Sequence, residues 1–89
     1  MFYTYLLHSA KYKEFYIGYT SDLKKRLQEH NQGLNLSTRR YVPWKIIYYE
    51  ACIDKRDAER RETYLKTTQG GRFWKRRLRE YFYGERSKD

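Results

Sequence analysis

Two short runs decide the fold: Phe2-Tyr3-Thr4-Tyr5-Leu6-Leu7-His8 and, after a polar break at Ser9 to Lys13, Glu14-Phe15-Tyr16-Ile17-Gly18-Tyr19-Thr20. Both are rich in aromatic and apolar residues that suit a pleated, half-buried surface, so both read as strands. The connection is too short for a crossover and predicts an antiparallel hairpin. A turn centred between Ala10 and Lys11 places Tyr5 opposite Tyr16 and Tyr3 opposite Gly18. Two phenols then share one face, and Gly18 leaves room for backbone or ligand. The plainer reading is that tyrosines fill a small amphipathic sheet. With 11 tyrosines in the chain, most must do so.

Outward from the hairpin, Ser21 offers an N-cap for a helix over 22–32, with Asp22 in its first turn and Gly33 as the stop. Residues 34–44 form a loop carrying Ser37-Thr38-Arg39-Arg40 and ending in Pro43-Trp44. Lys45 to Cys52, with Ile46-Ile47-Tyr48-Tyr49, predicts a third strand covered on both faces. Asp54, with Asp57 as an imperfect capping box, starts a second helix that runs to about Thr67 and breaks at Gly70-Gly71. A third helix over 72–83 repeats Trp74, Leu78, Tyr81 and Phe82 on one face. The order β-β-α-β-α-α predicts an α+β fold, a small three-stranded antiparallel sheet flanked by helices. One domain over 1–83 and a short polar tail over 84–89 account for the chain.

The chain has 89 residues, with 20 Lys+Arg against 11 Asp+Glu and a net charge of +9. That length excludes a doubly wound sheet or a barrel enzyme. The lone Cys52 excludes an internal disulfide or a multi-cysteine zinc site, and His8 and Cys52 read as structural. No apolar run approaches the ~20 residues of a membrane span, and Met1 leads into Phe2-Tyr3 without a basic leader. The expected setting is cytoplasmic, with no membrane partner. A net +9 on so small a surface recruits polyanions, with nucleic acid the first candidate.

Two helices break the simple pattern, and such breaks are where function shows. Ala58, Glu62 and Leu65 fall at i, i+4 and i+7, so a carboxylate lies on an otherwise apolar stripe. A buried carboxylate needs a cation or a metal. The alternative is an exposed Glu62 paired with Arg61 or Lys66. On the first helix, Leu23, Arg26, Leu27 and His30 share one stripe. Arg26 and His30 together suit a phosphate, although a lone Arg often snorkels and a lone His is often structural.

The ordered set resembles the GIY-YIG nuclease superfamily. The residues that carry the likeness are Tyr3-Thr4-Tyr5, Tyr16-Ile17-Gly18, Arg26, His30, the Arg40-Tyr41-Val42-Pro43-Trp44 stretch, and Ala58-x-x-x-Glu62-x-x-Leu65-Lys66. It runs from about Phe2 to Phe82. The family also includes the N-terminal incision domain of the UvrC repair protein. The resemblance implies a metal-dependent endonuclease that hydrolyses DNA phosphodiesters, structured or single-stranded. Tyr5 and Tyr16 match the two motif tyrosines, Arg26 the catalytic arginine, His30 the position after it, and Glu62 the metal-binding glutamate. One Mg²⁺ or Mn²⁺ is implied on Glu62. Two departures stand out. The first element lacks its glycine and isoleucine, and Tyr19 stands where some members carry Lys. The downstream Asn of some members has no clear counterpart here, Gln69 standing nearest.

In the chemistry so implied, Arg26 neutralises phosphoryl charge and a tyrosine takes the proton from water. A phenol near pKa 10 needs a neighbouring cation for that task. Whether Tyr5 or Tyr16 is that base stays open. Arg39, Arg40, Arg72, Lys75, Arg76, Arg77 and Arg79 would grip flanking phosphates without reading sequence. Trp44 and Trp74 read as core residues, with stacking on bases the alternative. DNA is the expected partner, RNA the other candidate, and target choice falls to nucleic-acid shape or a protein partner. The competing reading is a non-catalytic nucleic-acid-binding module of the same fold.

Overall fold

The computed structural model describes residues 1–87. Its elements run β1 (Phe2–Ser9), β2 (Glu14–Thr20), α1 (Leu23–Asn31), a short 3-10 turn (Arg39–Tyr41), β3 (Lys45–Cys52), α2 (Lys55–Leu65), α3 (Thr68–Arg77) and α4 (Arg79–Ser87). The sheet order is β2-β1-β3 with both pairings antiparallel. The α+β class and the three-stranded antiparallel sheet are as the sequence predicts. No helix among the described residues is long and apolar enough to cross a membrane.

The central strand is β1, and Thr4 to Ser9 are all buried. This corrects the expectation for β3. That strand lies at the sheet's edge, and its Tyr49 is 54% exposed. The apolar run Ile46-Ile47-Tyr48-Tyr49 looked doubly covered, but only a strand with neighbours on both sides and layers on both faces is.

The hairpin is longer in its turn than expected. Ser9 pairs with Glu14, so residues 10–13 form the loop, and Lys13 takes a left-handed conformation at φ 56°. The register therefore moves by two. Tyr5 faces Gly18 and Leu7 faces Tyr16, in place of the Tyr5–Tyr16 and Tyr3–Gly18 pairs. A shift of two leaves every side chain on its expected face, because the strand period is two.

Side chains of β1 divide the molecule. Tyr5 and Leu7 pack with Trp44, Leu23, Leu27 and Tyr16 on the α1 side. Leu6 packs with Leu65, Trp74, Phe73 and Phe82 on the α2–α4 side. The Thr4 hydroxyl donates to the Ala58 carbonyl at 3.0 Å and ties α2 to β1. Trp44 and Trp74 are both buried, and their indole N–H groups donate to the carbonyls of Thr38 and Leu65. They are core residues, as the leading reading had it.

The helix boundaries differ in instructive ways. Asp22, rather than Ser21, caps α1, its side chain accepting from the Lys25 N–H at 3.1 Å. Asp54 caps α2 as expected. The break after α2 comes at Lys66 and Thr67, not at Gly70-Gly71, because the Thr67 hydroxyl caps α3 through the Gly70 N–H. Both glycines therefore sit inside α3. The single helix expected over 72–83 is two, hinged at Leu78, which ends α3. The bend lets Trp74 and Phe82 cover the same cluster, which one straight rod would not do. Residues 84–87 continue α4, and residues 88 and 89 lie outside the described residues.

Candidate active site

Tyr5 stands at the middle of the arrangement, 2% exposed. Its hydroxyl lies 3.0 Å from His30 Nε2 and accepts from Arg26 Nε at 3.4 Å. Both partners come from α1, one turn apart, so the helix delivers them to one phenol. Gly18 lies directly across the hairpin from Tyr5. A Cβ there would stand 2.5 Å from the Tyr5 hydroxyl oxygen. The glycine is what lets the ring cross the neighbouring strand.

Tyr16 sits beside them, half-buried. Its ring centroid is 6.4 Å from that of Tyr5 and 4.9 Å from that of His30. His30 is fully buried, and its other nitrogen, Nδ1, lies 2.7 Å from the Thr38 hydroxyl. One ring nitrogen donates and the other accepts, so the imidazole fixes Tyr5 to the loop after α1. That loop is pinned a second time. Asn31 accepts from the Trp44 N–H at 2.6 Å and donates to the Trp44 carbonyl at 2.9 Å.

The electrostatics follow from burial. Desolvation pushes the Tyr5 phenol up to about 12, although the hydrogen bond and charge of Arg26 pull it down. The Glu62 carboxylate is near enough to add to the rise. His30 is pushed down to about 4, by burial first and by Arg26 second. The imidazole is neutral at physiological pH, so it is not the cation that would lower a neighbouring phenol. At Tyr5 burial outweighs the single guanidinium, so this phenol is raised and not lowered.

Arg26 also bridges to Glu29 at 3.2 Å. With Tyr19, Thr20, Asp22 and Lys25, these two line an open cleft between the end of β2 and α1. From sequence Glu29 lies outward with Lys24 and Lys25; in the structure it is half-buried against Arg26, a pairing its place three residues later signals. Thr38 escaped the sequence reading, since nothing local links a loop threonine to a helix histidine eight residues earlier.

Glu62 projects from α2 between buried Ala58 and Leu65. Its side chain is 21% exposed and pairs with Lys66 at 3.5 Å. It is thus neither fully solvated nor buried and unpaired. Glu59 pairs with Lys55 at 3.9 Å. The structure gathers Tyr16, Arg26 and His30 around Tyr5, with Glu62 within electrostatic reach of Tyr5. Arg39 and Arg40 lie apart, exposed on the 3-10 turn. Arg72, Lys75, Arg76, Arg77 and Arg79 are exposed on α3 and at the start of α4.

The family model for the GIY-YIG catalytic domain matches residues 1–73, which carry all five of these clustered residues. The chain belongs to the GIY-YIG family. The UPF0213 protein CPE1444 of Clostridium perfringens is 40% identical over 67 residues, covering 74% of this chain and 71% of its own. The UPF0213 protein SpyM50708 of Streptococcus pyogenes serotype M5 is 43% identical over 65 residues, covering 72% and 70%. Those names state no activity. No solved structure matches. GIY-YIG domains are nuclease domains, so nucleic acid is the substrate class the family carries. Among the described residues of this GIY-YIG domain, no three His, Cys, Asp or Glu side chains cluster to hold a metal ion. Glu62 supplies a single carboxylate, a hard oxygen donor of the kind Mg²⁺ or Mn²⁺ would accept and too few ligands for a caged zinc.

Proposed function

We propose that this chain is a metal-dependent endonuclease that hydrolyses phosphodiester bonds of DNA. The observation that carries the reading is the meeting of Tyr5, Tyr16 and Arg26 around one phenol hydroxyl in a GIY-YIG domain, with Glu62 close by. The terminal nitrogens of Arg26 donate to the phosphoryl oxygens and offset charge as it builds, while its Nε stays on the Tyr5 hydroxyl. To do so Arg26 exchanges Glu29 for the phosphate. Tyr5, buried and pushed up to about 12, keeps its proton and orients Arg26 and the incoming water. Tyr16, the more accessible phenol, takes the proton from that water. His30 and Thr38 act behind Tyr5 and hold it in place. Glu62 is the residue that would hold the divalent cation, which supplies Lewis-acid stabilisation when bound.

The test is cleavage of plasmid, single-stranded and branched DNA in Mg²⁺ and Mn²⁺. Glu62→Ala should lower the rate at least about 100-fold with the fold intact, and Tyr16→Phe should cost more than Tyr5→Phe. Equal cutting by wild type and Glu62→Ala sinks the reading. A non-catalytic nucleic-acid-binding role is favoured by the Glu62–Lys66 pair and by the altered Tyr3-Thr4-Tyr5 element. In that case Glu62→Ala leaves binding unchanged and no substrate is cut. Parallel assays with RNA separate a processing role on that polymer.

A further inference from the structure

A second concave surface lies where α2, α3 and α4 meet. It is a cleft of about 790 Å³, lined in part by Tyr64, Phe73, Arg72, Arg76 and Arg77. Its charges are uncommitted. Among the described residues, Arg72, Arg76 and Arg77 make no ion pair, while Glu80 at the rim is already bridged by Arg79 at 3.3 Å. Its aromatic floor is held from one side. The Arg61 guanidinium lies 4.9 Å from the ring centroids of both Tyr64 and Phe73, and Glu50 fixes it with two hydrogen bonds of 2.8 and 2.9 Å. Arg76 and Arg77 also lie beyond residues 1–73, the part that matches the family.

We propose that this cleft holds an unpaired nucleic-acid strand that continues from the Tyr5–Arg26 site, a role that rests on the nuclease reading above. Three features point to that ligand. Arg72 and Arg76 are one turn apart, ~6 Å along the helix axis, a spacing suited to successive phosphates of an extended strand. Planar rings beside free guanidinium groups suit bases as well as phosphates. An acidic peptide would satisfy the charge but lacks the regular series of rings that an unpaired strand offers Tyr64 and Phe73.

Position selects the unpaired form. Glu62 and Tyr64 are two residues apart on α2, so they project about 200° from each other around the helix. Nucleic acid that reaches both must bend around a single helix ~10 Å across. A duplex with a persistence length of about 50 nm resists that bend, whereas a single strand does not. The substrate class is therefore DNA with a single-stranded segment, such as an overhang or a branch.

The experiment is fluorescence anisotropy on the full chain in EDTA, with a labelled oligothymidylate and a blunt duplex of equal length. The variant R72A/R76A is compared with K11A/K13A, which removes equal charge from the hairpin turn. The single strand should bind R72A/R76A about tenfold more weakly, with the salt slope reduced by about 1.4 for two lost contacts. K11A/K13A should stay within about twofold. Tyr64→Ala should weaken the single strand by roughly tenfold through lost stacking. A bromodeoxyuridine-substituted strand should crosslink to Tyr64 or Phe73. Circular dichroism confirms that each variant is folded. Equal weakening in K11A/K13A, equally tight binding of polyglutamate, or crosslinks only outside the cleft each overturn the proposal. If the wild type cuts nothing but these binding results hold, the nuclease reading fails and the cleft stands. If it cuts and R72A/R76A binds normally, the cleft fails alone.

Discussion

A methyl group added at Gly18 would meet the Tyr5 hydroxyl oxygen at 2.5 Å and the ring carbon beside it at 2.8 Å, well inside contact distance. The ring must then leave its place between Arg26 and His30. Gly18→Ala should lower cleavage by about 100-fold, since displacement of ~1 Å costs that much at a site built on positioning. It should also cost about 1–3 kcal/mol of stability from overpacking, read by urea denaturation. His30 makes a second prediction at this scale. Its folded pKa of about 4 lies below the unfolded value near 6.5, so the unfolded chain binds the extra proton in between. Stability is complete above pH 6.5 and falls as pH drops toward 4, by roughly 3 kcal/mol from this residue. Buried His8, also lowered by desolvation, adds in the same direction. Urea midpoints from pH 7.5 to 5 should show this fall, and His30→Gln should flatten it. An unchanged slope in the variant removes the assignment. That Tyr5, Tyr16, Arg26 and His30 would gather, with Glu62 within electrostatic reach, could be anticipated from sequence, because their types and order follow the family pattern. Their ionisation could not, because it depends on how much water each group loses.

Within elements, two adjacent glycines of α3 behave oppositely. A Cβ at Gly70 would overlap the Tyr64 carbonyl and lie 2.6 Å from Leu65 Cα, both immovable backbone. A Cβ at Gly71 meets nothing within 4 Å. Gly70→Ala should therefore cost several kcal/mol by forcing α3 away from the end of α2, while Gly71→Ala should stabilise by about 0.5–1 kcal/mol. Thermal melts of the two variants decide it, and a tolerated Gly70→Ala counts against the α2–α3 contact. From the sequence the pair Gly70-Gly71 looked like a breaker, because glycine marks both stops and close contacts and only the neighbouring helix tells them apart. The hairpin taught the same lesson. Its existence and faces were readable from the period of two, but the partner of Tyr5 depended on turn length. Lys13 in a left-handed conformation set that length.

Across the whole molecule, the +9 charge includes exposed Arg39, Arg40, Arg72, Arg76, Arg77 and Arg79, and among the described residues only Arg79 of these forms an ion pair. Binding to nucleic acid should weaken steeply with salt, with a log–log slope of about −3 or steeper for four or more phosphate contacts. Anisotropy titrations across salt concentrations measure it, and a flat response argues against a phosphate grip. Composition alone predicted this term, because counterion release counts charges and not their arrangement. Strand and helix types, the α+β class, the order of elements and the family resemblance were likewise legible, since each rests on local periodicity or on residue identity. The edge position of β3, the hinge at Leu78, the His30–Thr38 link, the neutral imidazole and the cleft beside α2 were not. Each depends on groups distant in the chain excluding water from one another, and no local pattern records which groups those are.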